Sequence, residues 1–366
     1  MMNGHFIGVM TGTSLDGIDL VLADISESSV TIRFTASETY PEEIRHRLSR
    51  LITSGNTTLA ELGQCEHVLG EYYASKINGW LTTLNFDRKA IIAIGNHGQT
   101  IWHQPHAPHP FTMQIGDNNR VAALTGIPVV GDVRRMDMAY GGQGAPLVPA
   151  FHDALFRKPE KTVVAVNIGG IANISVLDQS RPVYGFDTGP GNTLMDIWVQ
   201  QHCGEKYDKN ATMALQGSVN QTLLAHMLQD PYFSAPAPKS TGREYFNAQW
   251  LNNCLAQLPD QIKTEDVQAT LCELTVSTIV NALPMQTSEL IVCGGGCHNP
   301  LIMKRLKALL PQCQVHDTWA YNLDPDFIEA AAFAWLAHRR CNLLHGNCIE
   351  VTGASQPAIL GAIYQP

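Results

Sequence analysis

Apolar residues in this chain fall into short runs broken by polar, glycine-bearing turns. "FIGVM" and "IDLVLADI", at 6–10 and 18–25, flank "TGTSLDG" and predict a strand, a turn and a second strand. "TVVAVNIGGIANISVL", residues 162–177, repeats that design in the second half. Two similar hairpins far apart in one chain predict two related lobes facing one ligand. Neither is a Walker-type phosphate loop, because a strand rather than a helix follows the glycines and no GK[ST] ending is present.

The intervening pattern alternates strand and helix signals. "KAIIAIGNHGQTIWH" reads as a buried strand ending in a polar glycine loop, and "NRVAALTGIPVVGD" as a helix end followed by another strand. "DVRRMDMAYGGQGAPLVP", 132–149, turns charged and then glycine- and proline-rich, which predicts a crossing between lobes. "FHDALFRKP" predicts a short helix. "ELIVCGGGCHNPLIMKRLKALLP", 289–311, predicts a strand, a triple-glycine turn and a helix with Ile302, Leu306 and Leu309 on its apolar side. "DVQATLCELTVSTIVNALP" and "DPDFIEAAAFAWLAHRR" read as helices. The expected fold class is α/β, with one lobe over 1–132 and a second over 133–366, the C-terminal helix packing back on the first.

Composition narrows the function classes. With 366 residues, 45% hydrophobic and 16% charged, the chain reads as a globular protein with room for two domains. A formal charge of −9 offers no general attraction to nucleic acid or anionic membrane. No apolar run approaches the length of a membrane span, and the N-terminus lacks a signal-peptide pattern. Nine scattered cysteines suit free thiols in a reducing cytoplasm. Cys293 and Cys297 beside His298 have no second close pair, which argues against zinc. His103, His106 and His109 are separated by prolines and do not share a helix face, so they read as an exposed edge rather than a metal site.

"GVMTGTSLDGIDLVLADI", "GNHGQT", "GDVRRMDMAYGGQGAPLVPAFH", "NIGGIANIS", "GFDTGPGN" and "GGGCHNP" occur in this order over nearly the whole chain. Together they resemble the anhydro-N-acetylmuramic acid kinases of bacterial cell-wall sugar recycling. The resemblance implies the two-lobed fold of the sugar kinase and actin superfamily, with ATP in the interlobe cleft. It also implies conversion of ATP, water and 1,6-anhydro-N-acetylmuramic acid to ADP and N-acetylmuramic acid 6-phosphate. A kinase for an already free sugar hydroxyl and a noncatalytic actin-like ATP-binding protein are the competing readings.

On that resemblance, Gly12 and Gly17 permit close turning, Thr13 and Ser14 donate to phosphate oxygens, and Asp16 helps to hold Mg²⁺ directly or through water. Asp19 is the competitor of Asp16 for the metal. Gly169 and Gly170, with Asn167 and Asn173, meet the phosphate chain from the other side, and Gly294, Gly295 and Gly296 belong to the nucleotide. Asp187 in "YGFDTGPGN" is the expected base, taking a proton from the water that attacks the anomeric carbon. His97, Gln99, Gln114 and Asp117 are candidates for orienting the sugar, and Arg134, or Arg135 in its place, for pairing with the lactyl carboxylate. The remaining expectations are a small anhydro amino sugar as partner and a cytoplasmic location; assembly as a homodimer is left open.

Overall fold

The computed structural model describes residues 1–12, 15–237, 239–258 and 261–366. The chain divides into two compact units, Met1–Leu155 with Phe327–Pro366, and Phe156–Asp326.

The first unit carries β1 (Gly4–Met10), β2 (Gly17–Ile25), β3 (Val30–Thr39), β4 (Ile91–Asn96), β5 (Gln99–Gln104), β6 (Phe111–Ile115) and β7 (Val129–Gly131). Its main sheet runs β3-β2-β1-β4-β7, extended at the β7 edge by Ala362–Tyr364, while β5 and β6 form a separate hairpin. The first three strands are antiparallel neighbours, and β4 and β7 add on in parallel. The second unit carries β8 (Thr162–Ile168), β9 (Ile171–Leu177), β10 (Tyr184–Pro190), β11 (Thr287–Cys293) and β12 (Gln314–Asp317). Its order is β10-β9-β8-β11-β12, again an antiparallel trio followed by two parallel strands.

The repeated order bears out the expected α/β fold class with two similarly built lobes. Its cause is local in each trio and nonlocal beyond it. Hairpins join antiparallel strands directly, whereas parallel strands need a crossover. Helices Glu42–Ser54 and Leu59–Thr83 lie between β3 and β4, and the segment between β10 and β11 includes helices Thr193–Cys203 and Thr264–Ala282.

Alternation along the strands sets the two cores. In the first unit Ile7, Val9, Leu20, Leu22 and Ile94 pack with Leu48, Leu69, Tyr73 and Ile77 of the crossover helices. On the opposite side of this sheet, Gly8 and Gly95 stand in register on β1 and β4. A Cβ on Gly8 would lie 1.8 Å from the Ala330 carbonyl oxygen, and one on Gly95 2.0 Å from that of Phe333. The helix Ile328–Cys341, rich in buried alanines, therefore lies backbone-close on the strands. In the second unit Val164, Val166, Ile168, Ala172 and Ile174 pack with Leu194, Leu271, Leu274, Ile302 and Leu306. Leu309, expected on the apolar side of its helix, is 40% exposed.

The segment after residue 132 differs from the expected crossing. It stays with the first unit through residue 155, anchored by Asp137, which is fully buried. The Asp137 carboxylate accepts from Thr352 Oγ1 at 2.7 Å, Asn347 Nδ2 at 2.7 Å and Gly144 N at 2.8 Å. A buried carboxylate needs such donors, and these tie the glycine-rich loop to the C-terminal segment. The first unit thus takes in 133–155, which a cut at 132 would remove from it.

Candidate active site

In the second unit the register of three strands assembles a polar row. Asn167 on β8 pairs with Asn173 on β9, and Asn173 pairs with Asp187 on β10. Their sequence neighbours Val166, Ile168, Ala172 and Ile174 belong to the core, so the period-two alternation sends the polar trio to the other face. Asp187 lies within β10. A segment distant in sequence clamps it: Thr241 N donates to Asp187 Oδ2 at 2.9 Å, Asp187 N donates to Lys239 O at 3.1 Å, and Tyr232 Oη donates to Asp187 O at 2.7 Å. Burial pushes the carboxyl up to about 6, opposed by the Thr241 amide and assisted by the charge of Glu244. At neutral pH it is an ionised base with raised proton affinity, the property general-base chemistry uses.

The Gly169–Gly170 turn is held against the start of helix Thr193–Cys203. Gly170 O accepts from Gly191 N at 2.9 Å and Thr193 N at 3.1 Å, and Gly169 O accepts from Asn192 N at 2.8 Å. The triple glycine packs beside it. Gly294 has φ +76°, and a Cβ there would lie 2.2 Å from Asn167 Oδ1; one on Gly296 would lie 2.2 Å from Ile168 Cγ2. Gly295 faces open space apart from Asn192 Nδ2. Asn167, Gly169, Gly170 and Gly294–Gly296 are therefore one continuous patch.

The first unit brings a second group together. His97 is buried, with Nδ1 3.1 Å from Thr11 O and Nε2 2.8 Å from Arg134 Nη2. Arginine has only donors, so Nε2 accepts and Nδ1–H donates to Thr11 O. Burial, with Arg134 next, holds the ring's pKa well below the usual histidine value, which leaves it neutral. Arg134 also donates from Nη1 to Gly144 O at 2.8 Å, while its buried Nε has no partner. Burial lowers its pKa to about 10, against Glu329 and Asp137. Arg135 is exposed and lies 3.4 Å from Asp132. Gln99 is fully buried, donating from Nε2 to Gly12 O at 3.2 Å and accepting at Oε1 from Tyr40 Oη at 3.3 Å.

Other candidates are committed to local structure. Gln114 Nε2 donates to Thr112 Oγ1 at 2.7 Å and Thr100 Oγ1 at 3.1 Å. Asp117 Oδ1 is the N-cap of helix Asn118–Thr125, accepting from Asn119 N at 2.9 Å and Arg120 N at 3.2 Å. Gly17 opens β2, where a Cβ would lie 1.9 Å from Glu38 O, so close approach of β3 requires this glycine. Thr13 and Ser14 lie outside the described residues.

Asp16 is exposed between β1 and β2, and Asp19 accepts from Ser37 Oγ at 2.6 Å. No group of three metal-binding side chains occurs among the described residues. Mg²⁺ at a nucleotide uses one or two carboxylates with phosphate oxygens and water, and an exposed Asp16 carboxylate fits that donor set.

Sequence reasoning missed Thr241, which orients Asp187, and Glu329, whose carboxyl is raised by burial with Arg134 opposing. It also missed Asp196, raised to about 7 by burial with Arg243 opposing. A polar "STGRE" stretch at 240–244 was the available signal for Thr241.

The family model described as anhydro-N-acetylmuramic acid kinase matches residues 4–366. The chain belongs to the anhydro-N-acetylmuramic acid kinase family. It is 54% identical over 98% of its length to 96% of such a kinase from Pasteurella multocida (strain Pm70). It is 50% identical over 98% of its length to 97% of one from Haemophilus influenzae (strain ATCC 51907 / DSM 11121 / KW20 / Rd). Among solved structures, it is similar to a ROK family glucokinase from Streptomyces griseus in complex with glucose and AMPPNP, with TM-score 0.41 and 14% identity over 92% of this chain and 100% of that one. Anhydro-N-acetylmuramic acid kinase membership makes the chain an enzyme of the sugar kinase class.

Proposed function

We propose that the protein opens 1,6-anhydro-N-acetylmuramic acid with water and phosphorylates the released oxygen with ATP, giving N-acetylmuramic acid 6-phosphate and ADP. The observation that carries this reading, within the family, is the Asp187 carboxylate: raised to about 6, held by Thr241 and set in a row with Asn173 and Asn167.

Asp187 takes a proton from water as the water oxygen bonds to C1. The C1–O6 bond breaks, and its electron pair stays on O6. O6 bonds to the terminal phosphorus of ATP, and the bond from that phosphorus to the bridging oxygen breaks, leaving ADP. The proton on Asp187 returns to solvent, so one proton is released per turnover. Phosphoryl capture of O6 replaces the acid that an inverting glycosidase supplies to its leaving oxygen. The other groups position the reactants. The Gly169–Gly170 and Gly294–Gly296 patch serves the nucleotide, and Gly12, Thr13, Ser14 and Asp16 serve its phosphates. Mg²⁺, held by Asp16 directly or through water, supplies charge neutralisation on the phosphates when bound. Arg134 pairs with the lactyl carboxylate, and His97, fixed as a neutral Nδ1–H tautomer, sets the orientation of that arginine.

No helix among the described residues is long and apolar enough to cross a membrane. The ATP requirement of such a kinase supports a cytoplasmic setting.

The test is a single turnover in ¹⁸O-water, quenched before anomeric exchange. Label on the anomeric hydroxyl, with the original bridging oxygen retained beneath the phosphate, is the expected result. Label at O6 overturns the attack at C1. Faster phosphorylation of free N-acetylmuramic acid than of the anhydro sugar makes the protein an ordinary hydroxyl kinase.

A further inference from the structure

Three features of the second unit converge on the outer face of Gly170. A Cβ placed there would lie 2.8 Å from Thr193 Oγ1 and 3.0 Å from both Nε and Nη2 of Arg243. Only a glycine leaves this point open. Thr193 is 4% exposed, and its hydroxyl oxygen is buried without a hydrogen-bond partner. A buried hydroxyl without a partner costs free energy unless something bonds to it. Thr193 also opens the 11-residue helix Thr193–Cys203, whose N-cap Asn192 provides no side-chain cap. Asn192 Nδ2 instead reaches Ile168 O at 3.1 Å. Thr193 N is taken by Gly170 O, and the positive end of the helix dipole lies at this turn.

Arg243 completes the arrangement. It is an exposed residue whose guanidinium lies over a bare glycine turn. Its planar fork of donors suits phosphate oxygens better than any other side chain. Asp196, one turn into the same helix, is the neighbouring carboxyl, and its position near 7 limits the negative charge it sets against an anion.

We propose that Thr193 and Arg243 form an oxyanion seat over Gly170 that binds the polyphosphate of the nucleotide, the Thr193 hydroxyl and the Arg243 guanidinium both donating to phosphate oxygens. This rests on the kinase reading above and assigns two residues to it that the glycine motifs do not reveal. Arg243 covers the buried hydroxyl in the free protein and shifts outward to admit the anion.

The experiment measures ADP and ATP affinity by titration calorimetry, and adenosine binding by ligand-observed NMR, on the full chain with Mg²⁺. The variants are Arg243→Ala, Arg243→Lys, Thr193→Val and Thr193→Ser. Loss of a hydrogen bond to a charged group predicts weakening of ADP and ATP by about 10- to 100-fold for Arg243→Ala and Thr193→Val. Adenosine binding stays within about twofold, Arg243→Lys recovers part of the loss, and Thr193→Ser recovers most of it. ADP affinity unchanged in both Arg243→Ala and Thr193→Val overturns the proposal. So does an equal loss of adenosine binding, which marks collapse of the turn rather than loss of a phosphate contact. Absence of any adenine-nucleotide binding by the unmodified protein refutes the kinase reading itself, and the seat with it.

Discussion

Asp187→Asn separates catalysis from stability at one atom. The native carboxyl is displaced from 3.8 to about 6, chiefly by burial, which corresponds to roughly 3 kcal/mol of differential free energy. Because the folded-state value is raised, this group favours folding fully only below about pH 4, and that contribution is lost as pH rises through about 6. Above that range the native protein bears the cost of an ionised, desolvated carboxylate. Asparagine is neutral throughout and can still accept from Thr241 N. Its amide nitrogen brings two N–H donors that need partners, which offsets part of the gain. The variant is therefore expected to be more stable than the native protein by about 1–3 kcal/mol at pH 8, with the advantage shrinking toward zero near pH 4.5. Urea unfolding at the two pH values, followed by tryptophan fluorescence, measures the difference. Activity moves oppositely: loss of a general base costs about 10²- to 10⁴-fold in kcat, and native kcat/KM should rise with pH through about 6 to a plateau. A variant that is less stable at pH 8, or an advantage independent of pH, would refute the assignment of a desolvated carboxylate. Undiminished turnover would refute the base role.

The other predictions concern packing, substrate selection and metal. Gly8→Ala should destabilise by about 3 kcal/mol or more, because its methyl meets the Ala330 carbonyl oxygen at 1.8 Å. Gly63→Ala, in helix Leu59–Thr83 with nothing within 4 Å, should instead stabilise by about 0.5–1 kcal/mol; urea midpoints compare them. Arg134→Ala should erase a preference for anhydro-N-acetylmuramic acid over anhydro-N-acetylglucosamine by about 10-fold or more in kcat/KM, whereas Arg135→Ala, exposed beside Asp132, should leave it nearly intact. Equal selectivity of the native protein for both sugars would defeat lactyl recognition. Asp16→Asn should raise the Mg²⁺ concentration needed for half-maximal turnover without shifting the thermal midpoint, and an unchanged metal dependence would remove Asp16 from the metal.

Much of the fold was legible because its signals are local. The apolar runs of β1–β2 and β8–β9 with glycine turns between them specify hairpins, and Asn299–Pro300 followed by spaced apolar residues specifies a helix start. Asp117, expected to orient the sugar, also stands directly before "NNRVAALT", where an aspartate is a local N-cap signal. What needed the tertiary structure depends on segments far apart in sequence. Gly8 and Gly95 look like ordinary strand glycines until a helix more than two hundred residues later lies on both. The glycine- and proline-rich path after residue 132 has the composition of a linker, but Thr352 and Asn347 satisfy its buried Asp137 and hold it in the first unit. Asp187 was recognisable as a carboxylate in a turn-like motif. Its place within a strand, the Thr241 clamp and its raised proton affinity arise from burial by elements that no local pattern brings together, because desolvation is set by everything that surrounds a charge in space.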